Sequence, residues 1–126
     1  MKTLRNTKGF TLIELVIIII ILGILSAVAV PKYMNMKTEA ENATALGILG
    51  ALASADGILF ANAILKSGGD YTTGDVVAAA GITGGASAAL DSGVGTITLP
   101  NGSTKAITAI IGKPSANTVG TYTKNW

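Results

Sequence analysis

Phe10 to Val30 is a run of 21 residues in which only Thr11, Glu14 and Ser26 carry polar side chains. As a helix it is long enough to cross the hydrocarbon core of a bilayer. Glu14 is the awkward member, because a carboxylate near the end of a lipid-embedded helix is costly unless it is paired, and such residues are functional by default. Lys2, Arg5 and Lys8 precede the run with no acidic residue among them. Positive charge beside a membrane span marks the cytoplasmic side, so the N-terminus is expected inside and everything after Pro31 outside. A secretory signal is the competing reading of an apolar N-terminal run. Ser26-Ala27-Val28-Ala29 is the one patch that would suit its cleavage, yet the chain continues past it into a long polar-faced helical pattern.

A basic leader ending in Gly9, then Phe10-Thr11-Leu12-Ile13-Glu14-Leu15, then an aliphatic run containing Gly23 and Pro31, fixes several identities at once. In this pattern, which covers about the first quarter of the chain, the sequence resembles the type IV pilin family, including the pseudopilins of type II secretion. The resemblance implies that a prepilin peptidase cuts between Gly9 and Phe10 and methylates the new Phe10 amine. It implies that subunits leave the inner membrane and polymerise through this helix into a homo-oligomeric helical filament, driven by an assembly platform and its ATPase. It further implies that Glu14 of an incoming chain neutralises the Phe10 amine of its neighbour. The stretch between Gly23 and Pro31 is where the family's helix breaks when subunits pack. Ala45 to Ala63 looks most like the mannose-sensitive haemagglutinin branch.

Composition narrows the remaining roles. Without Lys2, Arg5 and Lys8, six basic side chains face seven acidic ones, and the basic ones do not cluster. No nucleic-acid patch is therefore expected. The chain has no cysteine and no histidine. Disulfides and thiolate metal sites are excluded, and a Ser or Thr nucleophile lacks a recognisable base at a known spacing. No catalytic residue, metal site or cofactor is expected. Many type IV pilins close their C-terminal region with a disulfide, and this chain departs from that pattern.

Four segments are expected: a leader at 1–9, a membrane and filament-core helix at 10–31, its amphipathic continuation at 32–66, and a small Gly/Ala/Thr-rich β domain at 67–126. The fold class is α+β, a lollipop-like stalk helix carrying a small antiparallel sheet. Phe10 to Lys66 would span roughly 85 Å at about 1.5 Å per residue. Gly23 interrupts the helix softly, and Pro31, which removes a backbone donor, is expected to end or kink it. Beyond it, an apolar stripe runs through Tyr33, Met36, Ala40, Ala43, Leu46, Leu49, Leu52, Ala55, Leu59 and Ala63 at spacings of three and four, with Asp56 on the solvated side. Gly47, Gly50 and Gly57 either let a neighbouring helix or the sheet approach, or are simply tolerated.

After Ser67-Gly68-Gly69, the turn Thr73-Gly74-Asp75 caps a short helix Val76–Ala80 ended by Gly81. Ile82 to Ser92 has no clear period. Thr96–Leu99 alternates as a strand, Pro100-Asn101-Gly102-Ser103 is a hairpin turn, and Ala106–Ile111 is the return strand. Thr118–Thr123 supplies a third strand. Asp70, Asp75 and Asp91 are spread over 22 residues and read as solvated rather than as a calcium site. The functional expectation is a major or major-like pilin serving adhesion, motility or a related surface task. A secretion pseudopilin is the alternative, and a membrane-tethered binding domain that never polymerises is the reading from a different class.

Overall fold

The computed structural model describes residues 9–91, 93–116, 118 and 120–126. Met1 to Lys8 of the expected leader lie outside the described residues. The elements are α1 (Leu12–Leu65), α2 (Thr73–Ala79), β1 (Ser87–Asp91), β2 (Val94–Thr98), β3 (Thr104–Ile110) and β4 (Thr121–Lys124), with a short 3-10 turn at Pro114–Ala116. The chain divides into two compact units, 1–38 and 39–126. The second half of α1 therefore belongs with the sheet.

In the first unit α1 is helical through Gly23 and through Pro31, which lies inside the helix and does not end it. Of the two outcomes expected at Pro31, an end of the helix does not occur. Proline there removes one backbone bond, while its neighbours remain free to complete theirs. From Leu12 to Val30 the large apolar side chains other than Val16 are exposed, Leu12 and Val28 at 81% and 68% of their surface. α1 is the one helix among the described residues that is long and apolar enough to cross a membrane.

The second unit is an α+β domain. Its four strands form a single antiparallel sheet in the order β1-β2-β3-β4, each strand pairing with the next in sequence. The Asn101-Gly102 turn joins β2 to β3 as expected, with Gly102 at φ 83° and Asn101 Oδ1 accepting the Ser103 backbone N–H at 3.0 Å. The Asn101 amide also donates to Glu41 Oε1 of α1 at 2.7 Å, tying the hairpin tip to the helix. β1 was hidden in the sequence because Ala and Ser give a period of two little contrast. Here Ala88 and Leu90 turn inward and Ser87, Ala89 and Asp91 outward.

Ile97, Leu99, Ile107 and Ala109 from the sheet meet Ala45, Ile48, Leu52 and Ala55 of α1 and Val76 of α2 in one core. Close packing explains Gly95: a Cβ there would lie 2.7 Å from Leu90 Cδ2 and 2.9 Å from Ile107 Cγ1. Of the expected stripe, Leu52 and Ala55 are buried, Leu49 and Leu59 half-buried, and Tyr33, Met36 and Leu46 exposed. The buried face of α1 keeps Leu52 and Ala55 of the stripe but takes Ala45 and Ile48 in place of Leu46 and Leu49. Gly47, Gly50 and Gly57 face open space, with no atom within 4 Å of an added Cβ. They do not serve approach of the sheet.

α2 begins earlier than expected. Thr72 is its N-cap and forms a reciprocal capping box with Asp75, so the cap is Thr72-x-x-Asp75 rather than Thr73-Gly74-Asp75.

Candidate functional site: the helix N-terminus and a buried carboxylate

Two groups of residues carry the chain's unusual chemistry, one in each unit. In the first, Gly9 and Phe10 lie just before α1, and Phe10 is 82% exposed. No atom lies within 4 Å of an added Cβ at Gly9. Thr11 and Glu14 close a capping box around the helix start. The Thr11 backbone N–H and hydroxyl both donate to Glu14 Oε2, at 2.9 and 2.7 Å, and the Glu14 N–H donates to Thr11 Oγ1 at 3.3 Å. Glu14 therefore has a local structural role that the sequence pattern Thr-x-x-Glu already contained. Both cap bonds use one carboxylate oxygen, Oε2.

In the second unit sits a residue that sequence reasoning placed on the solvated face. Asp56 is 1% exposed, the one charged side chain among the described residues that is buried in the core. Its position four residues after Leu52 and eight after Ile48 was the available signal, since helical spacing puts all three on one face. Burial of a carboxylate is costly unless hydrogen bonds replace water. Here Tyr71 Oη–H donates to Asp56 Oδ1 at 2.7 Å, and the Gly112 N–H donates to Oδ1 at 3.1 Å and to Oδ2 at 3.3 Å. Burial, the bond to Asp56 and its charge push the Tyr71 phenol well above the ordinary tyrosine range. Burial and the same charge do so for Tyr122. The glycines around the carboxylate are required by space. A Cβ on Gly112 would lie 2.5 Å from Tyr71 Oη and 3.0 Å from Phe60 Cδ2, and one on Gly120 would collide with Asp56 Oδ2.

The remaining acids do not converge. Asp70 accepts the Ser115 N–H at 3.0 Å and its hydroxyl at 2.8 Å, while Asp75 caps α2. Among the described residues no group of three acids or other ligand side chains is placed to hold a metal ion. The Ser115 backbone and hydroxyl bonds, helped by the charge of Lys113, hold the Asp70 carboxyl below its usual range, and the Thr72 hydroxyl and N–H do so for Asp75. Both folded values are depressed. The stability these bonds contribute is therefore complete above the unfolded carboxylate pKa and is lost as pH falls through the folded values. The melting temperature of the second unit is expected to be flat from pH 7 to about 5 and to drop below about pH 4. The double variant Asp70→Asn/Asp75→Asn should flatten that drop.

Comparison with known proteins agrees with the helix N-terminus. The family model for the prokaryotic N-terminal methylation motif matches residues 4–30. Fimbrial protein Q of Moraxella bovis is 35% identical over 134 aligned positions, covering 92% of this chain and 83% of that protein. The chain belongs to the type IV pilin family. Other related sequences include the type IV major fimbrial protein FimA of Dichelobacter nodosus, 38% identical over 85 residues, which are 64% of this pilin and 52% of FimA. The type II secretion system core protein G of Pseudomonas aeruginosa is 43% identical over 51 residues, 40% of this pilin and 36% of that protein. This pilin thus spans about half or less of the length of several of its relatives. No solved structure matches it.

Proposed function

We propose that this pilin is a major or major-like subunit of a type IV pilus, held first in the inner membrane with its N-terminus inside and then drawn into an extracellular filament. The observation that carries this reading is the exposed apolar surface from Leu12 to Val30, headed by one carboxylate at Glu14. A surface of that kind needs lipid or copies of itself, and a filament core supplies the second.

In this reading a prepilin peptidase removes the leader after Gly9 and methylates the Phe10 amine, and an assembly platform with its ATPase drives growth. The charged amine of one subunit pairs with Glu14 of the next. Oε1 of Glu14 meets the amine, while Oε2 keeps the Thr11 cap. The pairing relieves the desolvation of both groups and fixes the axial stagger, and apolar side chains supply most of the packing. Gly23 and Pro31 bound the stretch that opens when helices pack against one another. Domain limits at 9/10, 31/32 and 66/67 follow the same division of labour.

Shearing the cells and sequencing the N-terminus of the released filaments tests the proposal. Long filaments whose subunits begin at Phe10 support it, and a chain retained in the envelope that still begins at Met1 overturns it. Replacing Gly9 by leucine is expected to leave the leader attached, seen by mass spectrometry as uncut precursor. A mature Phe10 terminus in that variant would refute the cleavage site. The similarity to core protein G favours one alternative, a secretion pseudopilin. That role predicts short filaments kept in the periplasm and a defect in protein secretion on deletion.

A further inference from the structure

Leu65 is the most exposed large apolar side chain among the described residues, at 83% of its surface. It is the last residue of α1, and the chain turns away directly behind it: Ser67 takes φ 50°, and the Gly68 N–H donates back to the Ala63 carbonyl at 2.8 Å. The leucine is therefore carried on a fixed helix end, with Lys66 exposed beside it. An exposed leucine is unremarkable alone. The same unit, however, carries a hollow that fits it. Where the β1–β2 turn, the end of β3 and the start of α2 meet, about 220 Å³ is left open. Its apolar wall is Ala109, Ile110 and Ile111, and Asp91 and Lys113 supply one charge of each sign. A cavity of about 150 Å³ already holds a benzene ring, so a leucine side chain fits in this one. Leu65 does not fill the hollow of its own chain, since most of its surface is bare.

We propose that Leu65 of one subunit seats in this hollow of the next subunit along the filament, with Lys66 meeting Asp91 at the rim. The inference rests on the filament reading above and names a contact between globular units that the reading leaves open. Filament subunits all face the same way, so each contact joins unlike patches and repeats without closing. A knob and a hollow at different places on one surface meet that requirement. Asp91 has contacts within its own chain, and a carboxylate has acceptor sites for more. The charge of Lys113 is balanced by Asp70 nearby. An ion pair at an exposed rim adds little strength and serves to orient the seat.

The chain has no cysteine of its own, so the contact can be trapped cleanly. A disulfide forms only where two Cβ atoms come within about 4.5 Å, and it therefore reports contact. Sheared filaments of the double variant Leu65→Cys/Ile110→Cys, oxidised with copper phenanthroline and run on a non-reducing denaturing gel, are expected to give a ladder of dimers, trimers and longer chains. Each single variant should stay monomeric. Filaments that are intact by electron microscopy yet give only monomer would overturn the proposal, as would dimers from either single variant or dimers alone from the double one. If the unaltered chain forms no filaments, the filament reading fails and this contact with it. Leu65→Glu is the second test. It should lower filament yield about tenfold or more, while the melting temperature of the globular unit, read on the full-length chain in detergent micelles, moves by less than about 4 °C. An undiminished yield would overturn the proposal. Adding Ile110→Lys should bring the yield back to within about threefold of the unaltered chain. A pair as poor as Leu65→Glu alone would sink the proposal, and this comparison decides if the double cysteine variant makes no filaments.

Discussion

Replacing Glu14 by valine is expected to yield a pilin that is cut and membrane-inserted but absent from sheared filaments. In the proposed filament core, removing the carboxylate would leave the neighbouring amine unpaired among apolar side chains. The loss would be repeated along the filament, so elongation and not only stability should fail. The Thr11–Glu14 capping box supplies a competing explanation for any defect, since valine also removes the cap. Glu14→Gln separates the two. Glutamine can serve in a capping box but carries no charge. Loss of filaments in Glu14→Gln, with processing intact, assigns the defect to the charge. Normal filaments in Glu14→Gln and none in Glu14→Val would leave the cap as the role of Glu14 and refute the pairing.

The second large effect concerns the globular unit. Leu52 is fully buried, at 0% exposure, where the sheet and α2 meet α1. Leu52→Ala should cost about 2–5 kcal/mol by removing apolar contacts and leaving a cavity. In a domain of this size, without disulfides, that corresponds to a fall in melting temperature of about 10–30 °C. Trp126 packs against the same core, so its fluorescence reports the transition without the helix signal. Leu46→Ala is the control, because Leu46 is 44% exposed and should cost below about 1 kcal/mol. Equal losses in the two variants would show that the core lies on the face that the sequence stripe suggested.

The contrast between these two leucines shows what was legible. The first thirty residues announce themselves because lipid demands a long apolar run and the N-terminal methylation motif fixes identities one by one. The Asn101-Gly102 hairpin was equally clear, since few residues accept its backbone geometry. β1 escaped because a strand of Ser and Ala has almost no alternation to read. The facing of α1 in the second unit was legible only in part: Leu52 and Ala55 are buried as the stripe suggests, but Ala45 and Ile48 replace Leu46 and Leu49, and Asp56 lies inside. A helix lined mainly by alanine offers a shallow contrast between its sides, and only the sheet decides which side is covered. The Asp56 cluster could not be assembled from sequence at all, since its partners are 15 residues away at Tyr71 and 56 away at Gly112.

The consecutive strand order has a kinetic meaning. Every pairing in the sheet joins neighbours along the chain, so each step of sheet formation closes only a short loop. The contacts that span greater separations are those between the sheet and α1, which is itself local structure and forms without waiting for the strands. Such a domain is expected to fold quickly by zipping from the Asn101-Gly102 turn and docking onto a helix already in place. With no cysteine to oxidise, no disulfide has to form before the domain is complete. The globular unit is then expected to be closed soon after its last residue is made.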